Sequence, residues 1–154
     1  MMSRKYEMTG EEKEFKGHIV HRIRASRDFG NVKAGDLGGW IEREKNLSHT
    51  WICWVSDEAI VYGNARVFDN AQVYHEAVVS GDAWICDRAR IHDRANISGS
   101  AKICGMTDVC GEAEISGDVY IYRSVTVCGK AKIQKQGRFL HGEVIDCLKA
   151  EYLR

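Results

Sequence analysis

Residues 53–136, written in blocks of six, read CWVSDE AIVYGN ARVFDN AQVYHE AVVSGD AWICDR ARIHDR ANISGS AKICGM TDVCGE AEISGD VYIYRS VTVCGK AKIQKQ. These fourteen hexads follow one another with no insertion or deletion. The third position is Val or Ile throughout, from Val55 to Ile133, and ten of the fourteen first positions are Ala, from Ala59 to Ala131. Side chains two positions apart share one face of a strand, so positions one and three point inward while two and four point outward. Each hexad is one short strand followed by a corner.

A period of six suits a coil whose sides are built from one hexad each. The number of sides comes from a column sampled every eighteen residues: Gly63, Gly81, Gly99 and Gly117 all hold the fifth position. Glycine recurring at three-hexad spacing marks one edge of a triangular prism, where the backbone needs positive φ or close stacking. At a strand spacing of ~4.8 Å, between four and five such coils stack to roughly 20 Å.

The repeat resembles the left-handed β-helix of the hexapeptide-repeat proteins, which include bacterial acyltransferases and γ-class carbonic anhydrases. Gly35-Asp36-Leu37-Gly38-Gly39-Trp40-Ile41-Glu42, then Asn46-Leu47-Ser48, and units such as Val61-Tyr62-Gly63-Asn64-Ala65-Arg66-Val67 look like the YdcK-like β-solenoid proteins of bacteria and phages. The resemblance implies an all-β fold: a single-stranded left-handed β-helix of three hexapeptides per coil over 53–136. It also implies a transferase label given by fold analogy, trimeric assembly as in hexapeptide-repeat relatives, and, from the phage members, a role against a host component such as a defence system. Fold alone does not fix function.

Residues 1–52 do not obey the hexad and are expected to cap the coil. Tyr6-Glu7-Met8 and His18–Ala25 read as strands, Glu11-Glu12-Lys13-Glu14 between them as a solvated turn, and Leu37, Trp40 and Ile41 as the inward plug. Within 137–154, Val144, Ile145, Leu148, Tyr152 and Leu153 fall at helical spacing. That segment reads either as a short amphipathic helix closing the last coil or as a tail for a neighbouring subunit.

Lys plus Arg and Asp plus Glu are both 22, so there is no bulk basic field of the kind nucleic-acid binding uses. The same balance argues against an acidic mimic of DNA. No apolar run approaches a membrane span and the charged N-terminus lacks a signal-like core, so a cytoplasmic protein is expected.

Folding the hexads three to a coil sorts the outward positions into three faces. One face carries Arg66, Phe68, Trp84, Cys86, Lys102, Cys104, Tyr120 and Tyr122, an aromatic and basic wall of the residue types that dominate interface energy. It suits self-association, as a homo-oligomer with a trimer favoured, or a host protein; in-register ladder stacking without a partner is the plainer alternative. A second face turns wholly polar after Ser80, with Asn96, Ser98, Glu114, Ser116, Lys132 and Gln134.

The cysteine pairs Cys86/Cys104 and Cys110/Cys128 are eighteen apart, hence in adjacent coils and within disulfide reach. A reducing cytoplasm favours free thiols, and the pairs lie on different faces, so no four-thiolate zinc site is expected. His75 at a corner between Asp57 and Asp93, with His92 one coil above Tyr74, supplies the one enzymatic alternative. An acyltransferase site would then use His75, His92, Asp93 and Tyr74 between subunits. Two histidines fall short of the three-ligand metal site of the carbonic anhydrases, and no repeat-breaking loop is present. The expectation is therefore a non-enzymatic binding module without cofactor or metal.

Overall fold

The computed structural model describes residues 3–134 and, beyond them, the strand backbones Gly137–Phe139 and Val144–Ile145. The hexads build the three-sided parallel β-solenoid that their periodicity predicts. Every hexad strand pairs in register with those eighteen residues away, as Ile60 with Val78, Val78 with Asn96, and Asn96 with Glu114. Backbone amides donate from coil to coil, for example Ile60 N to Ala77 O at 2.9 Å and Val78 N to Ala95 O at 2.9 Å. The interior is the expected ladder: Ile85, Ile91, Ile97, Ile103, Ile115 and Ile121 are fully buried, as are the alanines beside them. Thr107, where the alanine column is interrupted, donates its hydroxyl to Cys104 O at 2.7 Å and so carries no unpaired polar group into the core.

The corners share one conformation. Position five has positive φ in each described hexad, at Asp57, Asp69, His75, Asp87, Asp93 and Arg123 as well as at the glycines. Aspartate tolerates this region through local hydrogen bonding. Its carboxylate also caps the next coil: His75 N donates to Asp57 Oδ2 at 3.1 Å, Asp87 N to Asp69 Oδ2 at 3.2 Å, and Gly105 N to Asp87 Oδ2 at 2.8 Å. The Asp57–His75–Asp93 edge is thus first a structural ladder.

The N-terminal cap differs from expectation in three places. Strand β1 (Tyr6–Phe15) continues, past a bulge between Met8 and Glu12, through Glu11–Glu14 to a two-residue turn at Lys16-Gly17, then returns as β2 (His18–Ala25). The charged stretch is therefore strand, not turn. It forms an open edge, where exposed charges deter further pairing, and Lys13 Nζ lies 4.1 Å from the Trp40 ring centroid. Strand β3 (Leu37–Ile41) pairs antiparallel with β2 and parallel with Ile60–Val61, so the hairpin extends one wall of the solenoid. Of the three expected plug residues only Ile41 enters the main core; Trp40 packs outside the coil with Val20 and Ile60, and Leu37 is exposed.

The cap also buries two positions expected to face outward. Trp54 is covered by Tyr6 and Phe29, with ring centroids 6.3 and 5.1 Å away, and Ile60 by Trp40 and Val20. This explains why the second face changes from apolar to polar along the chain: the hairpin reaches only its first coils. Asn46 stitches cap to coil, accepting from Glu42 N and Arg43 N and donating to Gly63 O and Ala65 O.

At the other end, Gly137–Phe139 pairs with Val119–Ile121 and Val144–Ile145 with Thr126–Val127, so the ladder continues beyond the last clear hexad. Val144 and Ile145 are strand, not the helix expected of them, because they stay in pairing register with the coil below. The remainder of that expected helix, Leu148, Tyr152 and Leu153, lies outside the described residues. Among the described residues no helix is long and apolar enough to cross a membrane.

Candidate functional site

Two groups of outward residues stand apart from the ladder. The first is the aromatic wall, carried by the strands Arg66–Val67, Trp84–Ile85, Lys102–Ile103 and Val119–Ile121. Register places Arg66, Trp84, Lys102 and Tyr120 side by side across these coils. Trp84 and Tyr120 are 41% and 38% exposed, high values for such large rings, and Arg66 and Lys102 are exposed too. Lys102 Nζ lies 4.7 Å from the Trp84 centroid, and Phe68 meets Trp84 edge-on at 5.9 Å. Tyr120 and Tyr122 tilt together at 4.8 Å. Part of the wall is thus internally satisfied, while its outermost rings still face solvent.

Cys86 and Cys104 depart from expectation. They are joined by a disulfide between adjacent coils, with Cα atoms 4.8 Å apart, and both are buried. In-register stacking of position-four side chains is what brings the two sulfurs together. They underlie the wall and offer little of its surface. Cys53, Cys110 and Cys128 are free among the described residues.

The wall is not flat along its whole length. Where it meets the cap, Glu44, Lys45, Leu47, Ser48 and His49 combine with Arg66, Phe68 and Trp84 to line a groove of about 550 Å³. The sequence gives no sign of this groove, because its far side comes from the irregular 44–49 segment, which has no repeat to fix its position.

The second group lies on the edge and face that carry His75 and His92. His75 Nδ1 is 3.0 Å from Asp93 Oδ1, and His92 Nδ1 is 3.2 Å from the same oxygen. His92 Nε2 is 2.6 Å from Asp108 Oδ1, whose other oxygen accepts from Arg90 Nη2 at 2.7 Å. The Tyr74 ring stacks on His92 at 4.8 Å with only 3° between planes. All four residues singled out from the sequence therefore converge, and Asp108 and Arg90 join them. These two were legible only as outward residues spaced by eighteen, a spacing that places Arg90 directly beside Asp108.

Electrostatics follows the contacts. The Gly111 amide, with His75 and His92, holds the Asp93 carboxyl below its usual range. Burial pushes the Tyr74 phenol up. Burial, with Asp108 nearby, raises the Cys110 thiol to about 11, which keeps it protonated and a poor nucleophile at neutral pH. With both nitrogens of His92 facing carboxylates, a general base would have to come from His75, whose side chain is half exposed.

No family model matches the chain. It is 35% identical over 79 residues to a protein of Escherichia coli (strain K12) described as the uncharacterized acetyltransferase YdcK. The match covers 46% of this chain and 24% of that relative, so the chain spans about a quarter of the relative's length. The unbroken hexads build a three-sided β-solenoid, and over 79 residues the chain is similar to this relative.

Proposed function

We propose that this chain is a non-enzymatic interaction module that associates with further copies of itself through the aromatic wall. The observation that carries the reading is the side-by-side exposure of Arg66, Trp84, Lys102 and Tyr120, on a backbone held rigid by coil-to-coil hydrogen bonds. Rings already fixed by a scaffold lose little side-chain entropy on docking. The cations on the wall are flanked by exposed carboxylates at its corners, Asp82 and Asp87 among them, so one copy offers another both partners of an ion pair. A closed ring of copies, a trimer in the first instance, sets one part of each subunit's wall against a different part of the next. The same wall would serve a host protein if the chain acts in phage–host contact, a reading supported only by family resemblance.

Hydroxyl-radical footprinting at low and high protein concentration tests this. Trp84, Tyr120 and Phe68 are expected to gain protection on association while Tyr62 and Tyr74, on the other faces, keep their reactivity. Equal reactivity of the wall in a demonstrated oligomer would reject it.

The relative's description favours a second reading, an acetyltransferase with its site near His75, His92, Asp93 and Tyr74. Acetyl-coenzyme A turnover that is lost in His75→Asn would support it over the first.

A further inference from the structure

We propose that His75, His92 and Asp93 form a binding site for a divalent transition-metal ion of the zinc class, on the solenoid edge where adjacent coils meet. The proposal is independent of the wall.

Its basis is the division of labour around two carboxylates. Asp93 commits Oδ2 to the Gly111 amide at 3.1 Å and turns Oδ1 to the Nδ1 atoms of both histidines. The three candidate ligand atoms lie within 4.8 Å of one another. An ion with bonds of ~2.0–2.2 Å to nitrogen and oxygen fits among them after small side-chain adjustment.

The far nitrogen of His92 is held in place: Asp108 binds Arg90 Nη2 through Oδ2 at 2.7 Å and lies 2.6 Å from His92 Nε2 through Oδ1. His92 Nδ1 is then the nitrogen turned to Asp93 Oδ1, at 3.2 Å, where an ion can take the place of their hydrogen bond.

Histidine ligands whose second nitrogen is held by a carboxylate are the usual arrangement at zinc sites. Stacking on Tyr74 fixes the plane of the ring. The exposed side of His75 leaves room for water to complete the coordination. Two imidazoles and one carboxylate favour zinc, cobalt, nickel or copper over magnesium or calcium, which prefer oxygen.

The test uses the untagged full chain, stripped with a chelator and titrated calorimetrically with zinc, alongside histidine-detected NMR. One ion per chain is expected, with Nδ1 of His75 and His92 both shifting on binding. His75→Asn, which keeps a side chain that tolerates the corner's positive φ, should weaken binding by more than the ~10–100-fold expected for the outer residue in Asp108→Asn. Cys110→Ser should leave it unchanged. Absence of saturable zinc binding, binding unaffected by His75→Asn, or binding lost in Cys110→Ser would each overturn the proposal. The NMR readout on wild type decides even if a variant fails to fold.

Discussion

Gly99 sits at a corner with φ of +64°, and a Cβ built there would lie 2.5 Å from Gly117 N. Gly63 has the same φ sign, but its Cβ would meet nothing closer than 3.4 Å. Ala at Gly63 therefore bears the conformational cost alone, about 1 kcal/mol, whereas Ala at Gly99 also forces two backbones apart. Urea unfolding should show Gly99→Ala losing clearly more stability than Gly63→Ala; equal losses would mean the coils yield freely. Asp93 makes a second prediction at this scale. Its carboxyl is held below the usual 3.8 by Gly111 N, His75 and His92. A depressed folded value means the carboxylate stabilises the fold above pH 3.8, and that contribution is lost as pH falls through the folded value. Asp93→Asn should flatten this part of the acid unfolding curve; an unchanged acid limb would show that the contacts do not matter to stability.

The cap is joined to the coils by strand pairing and a shared core, and among the side chains that cross between them Asn46 is the most committed. Its amide serves four backbone groups belonging to both elements. Asn46→Ala leaves buried partners unpaired and should cost about 3 kcal/mol, measured as a drop in unfolding midpoint. A loss under half that value would mean water replaces the side chain. Within the coil, Ile97→Ala removes a fully buried rung and is expected to cost about 2–5 kcal/mol. The coil was legible because every inward residue obeys a period of six and pairs with its own kind eighteen residues on. The cap was not, since adjacent Trp40 and Ile41 must face opposite ways in one strand and only pairing with Ile60–Val61 decides which enters the core, while Leu37 at the strand's start stays exposed. Glu11–Glu14 misled for a related reason: charge marks both solvated turns and exposed edge strands.

For the molecule as a whole, the repeat converts sequence columns into surfaces, so the candidate sites were readable as far as the columns run. Arg66, Trp84, Lys102 and Tyr120 are adjacent as their spacing requires, and so are Tyr74 and His92. What the columns could not supply was contact between them: the diagonal Phe68–Trp84 packing, the clamp of Asp108 on His92, and the groove where 44–49 meets the wall. Those depend on rotamers and on an irregular segment, neither of which has a period. The wall as a self-interface is the claim on which the proposed function stands, and the native mass in solution tests it most directly. Sedimentation of wild type beside Trp84→Glu/Tyr120→Glu leaves every inward position intact while placing charge on the wall. A wild-type oligomer, a trimer in the first instance, that falls to monomer in the double variant is the predicted result. A wild type that stays monomeric at high concentration, or an oligomer untouched by the double variant, would contradict it.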